Sequence, residues 1–110
     1  MDLICYGLKD NITGEFVFFF QSQNEGTMKR VVKSALLGKE PNVFTRDLKD
    51  KAVYDLGKID TQTGVITPNS SAVFVINVSE VRLDLIREIK VAKQEAGVEP
   101  NADEVASDEN

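Results

Sequence analysis

The residues best suited to chemistry in this sequence are cations and aromatic rings. Four cations lie close together with no acid between Gly26 and Lys39, namely Lys29, Arg30, Lys33 and Lys39. A helix with cations on its outer face can lie against nucleic-acid phosphates. The alternative is an ordinary solvated helix face. The cluster is therefore the first candidate for a nucleic-acid contact.

The second candidate is an aromatic strand at residues 15–20, Glu-Phe-Val-Phe-Phe-Phe. The two-residue repeat of a strand predicts Phe16, Phe18 and Phe20 on one sheet face, with Val17 and Phe19 on the other. Exposed rings on a sheet can stack single-stranded bases. The alternative is that a small domain places its aromatic residues in its core. We nominate three rings for stacking: Phe16, Phe18 and Tyr54.

Composition excludes much enzymatic chemistry. The 110 residues contain no His and a single Cys, so neither a Ser–His or Cys–His pair nor a thiolate zinc site can form. The sequence contains no glycine-rich phosphate loop. Two Asp-x-x-Thr-Gly segments lack the repeated carboxylates of a calcium loop and are typical of turns. We predict a protein without catalytic residues, metal or cofactor.

Charge divides the chain into two parts. The net charge is −5, from 13 bases and 18 acids, and six of the acids follow Lys93. Residues 1–94 then hold 13 bases against 12 acids. We predict one domain over residues 1–94 and a disordered acidic tail over residues 95–110. The tail either solvates the chain end, mimics DNA or screens a basic face.

Turn and cap signals predict an α+β fold. Strands at 3–9 and 15–20 flank one Asp-x-x-Thr-Gly turn, and strands at 53–59 and 65–67 flank the other. Asn24 and Gly38 delimit a helix at 25–37. A continuous apolar strand at 72–78 favours a central position covered on both faces. With a helix at 79–93, these elements predict an antiparallel sheet of about five strands, built from two hairpins and packed against two helices.

We expect neither a membrane span nor a secretory signal. No apolar run is longer than Phe16–Phe20, whereas a spanning helix needs about 20 apolar residues. Residues 1–4, Met-Asp-Leu-Ile, lack the basic segment of a signal peptide. A free Cys5 fits a reducing cytosol.

Two strings resemble one viral family. Residues 6–16 read Tyr-Gly-Leu-Lys-Asp-x-x-Thr-Gly-x-Phe, and residues 54–66 read Tyr-Asp-Leu-Gly-Lys-Ile-Asp-Thr-x-Thr-Gly-Val-Ile. Over roughly residues 1–78 the chain resembles the small nonstructural protein of gokushovirus-type microviruses, which are single-stranded-DNA bacteriophages. The resemblance implies a host-cytoplasmic protein, absent from the mature virion, that acts in the switch from duplex to single-strand DNA synthesis.

Residues and resemblance together predict a non-enzymatic phage protein that modulates viral DNA replication. It would bind single-stranded DNA or the phage replication proteins. The alternative is a protein-interaction module acting on a host factor through Leu83 and Val91, which fall off the apolar stripe of the second helix. A homodimer is compatible with either function, because exposed sheet edges invite pairing.

Overall fold

The computed structural model describes residues 1–95. Four antiparallel strands form one sheet, and two α-helices and a 3₁₀ turn (Leu48–Asp50) complete the chain. The strands are β1 (Asp2–Asp10), β2 (Glu15–Ser22), β3 (Lys51–Asp60) and β4 (Ile66–Asn77). The helices are α1 (Glu25–Leu37) and α2 (Val78–Glu95). The α+β fold with two hairpins and two helices is confirmed.

The two hairpin turns are built alike. Asp10 Oδ1 accepts the Ile12 N–H at 2.9 Å, and Asp60 Oδ1 accepts the Gln62 N–H at 2.8 Å. Each turn ends in a glycine with φ of +75°, a backbone region that L-residues rarely adopt. The Asp60 carboxyl is exposed, and its pKa is lowered chiefly by the hydrogen bonds that it accepts from the N–H groups of Gln62 and Thr63. Both aspartates therefore act in forming the turns.

The sheet order is β2-β1-β3-β4, which places both hairpins side by side through β1 and β3. Apart from Val65 and Val78, the predicted strands at 65–67 and 72–78 are parts of the single strand β4, so the sheet has four strands instead of five. The segment between the two predicted strands contains Pro68, and proline normally argues against a continuous strand. A proline is tolerated in β4 because β4 is an edge strand.

The predicted central position of residues 72–78 is wrong. β4 pairs with β3 alone, and most of its residues are exposed. The apolar run continues into α2 instead, where Val78 and Val81 are completely buried. Val78 therefore begins a helix rather than ending a strand.

Helix α1 begins and ends as predicted. Asn24 Oδ1 accepts the Thr27 N–H at 2.8 Å, and the Gly38 N–H donates to the Ala35 carbonyl. Met28 and Val32 face the core, whereas Val31 is exposed. Helix α2 continues two residues beyond its predicted end at Lys93, so Glu95 belongs to the helix. The rest of the predicted acidic tail lies outside the described residues.

One face of the sheet carries the core. The buried cluster joins residues of β1 and β3 to both helices and to Phe44 of the connection between α1 and β3. Asn42 fixes this connection, since its side chain donates to the Ala35 carbonyl and accepts the Phe44 N–H. Neither helix within residues 1–95 has the length and apolar character needed to cross a membrane.

Candidate nucleic-acid interface

The helices cover one face of the sheet, which we call the covered face, and leave the other, the open face, bare. On β1, Tyr6 and Leu8 are buried in the core and belong to the covered face. Gly7 lies between them and therefore points to the open face. A Cβ added at Gly7 would lie 2.7 Å from Phe16 Cδ1. The Phe16 ring thus occupies the space above Gly7.

Four rings form a continuous row across the open face, from β2 to β4. The centroid distances are 6.0 Å for Phe19–Phe16, 5.7 Å for Phe16–Tyr54 and 5.8 Å for Tyr54–Phe74. We call these four residues the aromatic row. Its ends are accessible, because Phe19 is 64% exposed and Phe74 is 51% exposed. The row offers large apolar surfaces to solvent where a core would hide them.

A cation accompanies the middle of the row. Lys9 Nζ lies 5.3 Å from the Tyr54 ring centroid and 5.9 Å from that of Phe16. An ammonium within about 6 Å of a ring centroid is attracted by the ring quadrupole. The open face therefore combines stacking surfaces with one positive charge held among them.

The structure separates the three nominated rings. Phe16 and Tyr54 lie in the aromatic row, but Phe18 is on the covered face, where it contacts Phe44 at 5.6 Å and Phe20 at 5.9 Å. The prediction that Phe16, Phe18 and Phe20 share one face is wrong. A β-bulge is the reason: Leu8 pairs with Phe18 while Lys9 pairs with Phe16, which leaves Val17 as an extra residue. One extra residue reverses the alternation on the turn side of the bulge.

Three of the nominated cations lie on α1, which packs against the covered face, and Lys39 follows the end of that helix. Lys29 Nζ is 3.3 Å from Glu25 Oε1, and Lys33 Nζ is 2.5 Å from Glu88 Oε1 of α2. Arg30 and Lys39 are exposed and form no salt bridge within residues 1–95. The fold therefore does not bring the four cations to the aromatic row, and carboxylates offset two of them.

Two side chains of β1, Cys5 and Tyr6, have pKa values above their ordinary values. Burial, with an added effect of Asp55 and then Glu25, raises the pKa of Tyr6 from its ordinary 10.0 to about 12. Burial, and secondarily Asp55, also raises the pKa of the Cys5 thiol. A raised thiol pKa keeps Cys5 protonated and unreactive.

Sequence reasoning missed three members of the open-face site: Lys9, Phe19 and Phe74. Gly7 was an available signal. A glycine inside a strand often marks a bulge or the close approach of another group. The groove between α1 and α2, about 380 Å³ in volume, was not predicted either. Its lining is mainly leucine and isoleucine, with Arg82 as the one ionisable side chain among the lining residues.

Comparison with known proteins identifies a family that this chain matches. Residues 3–81 match the family described as Phage ORF5 protein. No curated protein and no solved structure matches the chain. The matched segment covers well over half of the sequence and includes the four strands except for Asp2, the whole aromatic row and the start of α2. The chain therefore belongs to the Phage ORF5 protein family and is a phage protein.

Proposed function

We propose that this phage protein is non-enzymatic and binds single-stranded DNA through the open face of its sheet. By doing so it modulates viral DNA replication at the switch from duplex to single-strand synthesis. The strings at residues 6–16 and 54–66 further support its assignment as a gokushovirus-type nonstructural protein. Such a protein acts in the host cytoplasm and is absent from the mature virion.

The aromatic row is the observation that carries this proposal. Single-strand binding proteins combine stacking rings with a cationic groove along the backbone. Phe19 and Phe74 present accessible rings at the two ends of the row. Lys9 lies among the rings and can reach a phosphate while the bases stack. Contiguous exposed apolar surface of this kind is typical of a binding site.

The sequence suggests that the four nominated cations contact phosphates directly, but in this proposal they have another role. They lie on the layer behind the sheet, so they attract DNA over distance instead of contacting it. Arg30 and Lys39 are the exposed members of the cluster. The acidic residues after Lys93 oppose that attraction. A chain shortened after Gln94 has a net charge of +1 and would bind DNA more tightly at low salt.

Anisotropy of a fluorescent single-stranded oligonucleotide tests the proposal. Phe19→Ala removes an exposed ring of the row, and Val91→Ala is a matched control that removes an exposed side chain of α2. Stacking contributes about 1–3 kcal/mol per base, so Phe19→Ala should weaken binding about 5- to 150-fold. Val91→Ala should leave the affinity unchanged. Undetectable binding of both the full-length and the shortened chain at low salt would reject DNA binding.

A second candidate function is favoured by α2. Leu83 is 51% exposed and Val91 is 49% exposed, so neither serves the core. In this alternative the protein acts on a host factor through these side chains. A nuclease-treated pull-down distinguishes the two functions. A single stoichiometric host protein that is lost with Leu83→Asp but retained with Phe19→Ala would favour the α2 surface.

A further inference from the structure

We infer that β2 is a self-association edge, which pairs with β2 of a second copy of this chain. The two edges of the sheet are β2 and β4. An edge strand presents a row of backbone N–H and C=O groups that can accept another strand. Within residues 1–95, no other segment pairs with the outer side of β2. This inference goes beyond DNA binding and does not depend on it.

The side chains of β2 do not protect its edge. Natural edges are usually protected by charged residues, by proline or by a covering element. From Phe16 to Ser22 the strand has no charge and no proline. Its exposed residues include three large apolar side chains: Val17, Phe18 and Phe19. The bulge at Val17 leaves the five residues from Phe18 to Ser22 in regular pairing with β1.

The opposite edge is protected in two ways. β4 contains Pro68, which lacks a backbone N–H. Its pairing with β3 is also interrupted, since Asp55 pairs with Val73 while Gly57 pairs with Pro68. Asn69 stabilises this irregular segment by donating to the Asp55 carbonyl and carboxylate at 3.0 Å each. β4 is also uncharged from Ile66 to Asn77, but its pairing with β3 is interrupted twice, so β2 offers the longer regular edge.

A second copy is the occupant that best fits this edge. Antiparallel pairing of a strand with itself forms a two-fold interface in which each residue meets a residue of the same strand. Because residues 16–22 are uncharged, such pairing brings no like charges together. The resulting eight-stranded sheet has one open face that carries both aromatic rows. Two aromatic rows side by side give a longer single-stranded DNA two places at which its bases can stack.

Sedimentation equilibrium of the full chain without DNA tests the inference. The expected mass is twice 12.2 kDa. Gln21→Lys places a charge on the exposed β2 edge and should shift the protein to the monomer mass at concentrations where the wild type is dimeric. Ser71→Lys places the same charge on the β4 edge and should leave the dimer intact. Thermal unfolding of both variants verifies that they are folded.

Hydrogen–deuterium exchange provides a readout without mutation. Amides of residues 18–22 should become more protected as protein concentration rises, whereas those of residues 66–73 should not change. A wild-type monomer throughout the soluble range overturns the inference. So does a dimer that survives Gln21→Lys but dissociates with Ser71→Lys. Both experiments omit DNA, so their failure is distinct from a failure of DNA binding.

Discussion

The two faces of the sheet are both rich in aromatic residues, yet they have opposite environments. On the covered face, Tyr6, Leu8 and Val53 are almost entirely inaccessible to solvent. On the open face, Phe19 and Phe74 expose half of their surface or more. The covered face holds the fold together, whereas the open face offers a surface for a ligand. Aromatic content alone therefore does not identify a core.

Gly7 lies between two core residues of β1 and makes room for a ring on the open face. Its neighbours Tyr6 and Leu8 fill the core, while its missing side chain leaves room for the Phe16 ring on the other face. The rings of the open face can thus cross a central strand without a gap. Substitutions on each face should separate stability from binding.

The largest expected effect is on the covered face. Leu8→Ala should lower the free energy of unfolding by about 2 to 5 kcal/mol, because it opens a cavity among fully buried side chains. Chemical denaturation measures the loss. Phe19→Ala on the open face should cost much less stability while weakening DNA binding. Equal stability losses for the two variants would contradict the difference between the faces.

Gly7→Ala should affect both properties at once. The new methyl group would lie 2.7 Å from Phe16 Cδ1 and 2.8 Å from Leu56 Cδ1, so both side chains must move. Such overpacking typically costs about 1 to 3 kcal/mol. Displacing Phe16 should also weaken oligonucleotide binding. Gly26→Ala in α1 is the control, since its Cβ meets only Asn24 Oδ1 at 3.4 Å and alanine favours a helix.

Alkaline pH should destabilise the covered face. Folded Tyr6 retains its proton up to a pKa of about 12, whereas the unfolded chain releases it near the ordinary 10.0. The unfolded state therefore binds fewer protons between these values, and stability falls as pH rises through them. The slope is at most about 1.4 kcal/mol per pH unit.

Denaturation of Tyr6→Phe beside the wild type isolates this contribution. The stability difference between the two proteins should be constant below pH 10 and should change above it in favour of Tyr6→Phe. A difference that stays constant up to pH 12 would show that Tyr6 does not titrate differently on folding.

The smallest expected effect is that of Lys9→Gln on the open face. Loss of one phosphate contact should reduce the slope of log affinity against log salt by about 0.7 for single-stranded DNA. Arg30→Gln on α1 should change that slope less, because α1 lies behind the sheet. Equal slopes for the two variants would mean that Lys9 is no closer to the bound strand than α1 is.

Much of the fold follows from local signals. The Asp-x-x-Thr-Gly turns, the Asn24 cap and the end of α1 at Gly38 were predicted correctly, because each depends on hydrogen bonds within a few residues. The strand β4, which contains Pro68, was predicted as two strands at 65–67 and 72–78. A local rule marks proline as a break, but only strand order shows that β4 is at an edge.

The site was less accessible to sequence reasoning. Of the three nominated rings, Phe16 and Tyr54 are in contact on the open face, whereas Phe18 is on the covered face. Because side chains alternate along a strand, the single extra residue at Val17 reverses the face of everything on one side of it. Nothing in the string Phe-Val-Phe-Phe-Phe marks which residue bulges.

The sequence by itself determined the class of fold, the two hairpins and the boundaries of α1, since turns and caps are short-range structures. Tertiary structure alone decided which face each ring occupies, which edge is protected and where the α1 cations lie relative to the rings. Those features depend on pairing between strands: the bulge between β1 and β2 sets the face of the β2 rings, and β1 pairs with β3, some fifty residues away. Their long-range register sets the aromatic row that the proposed function requires.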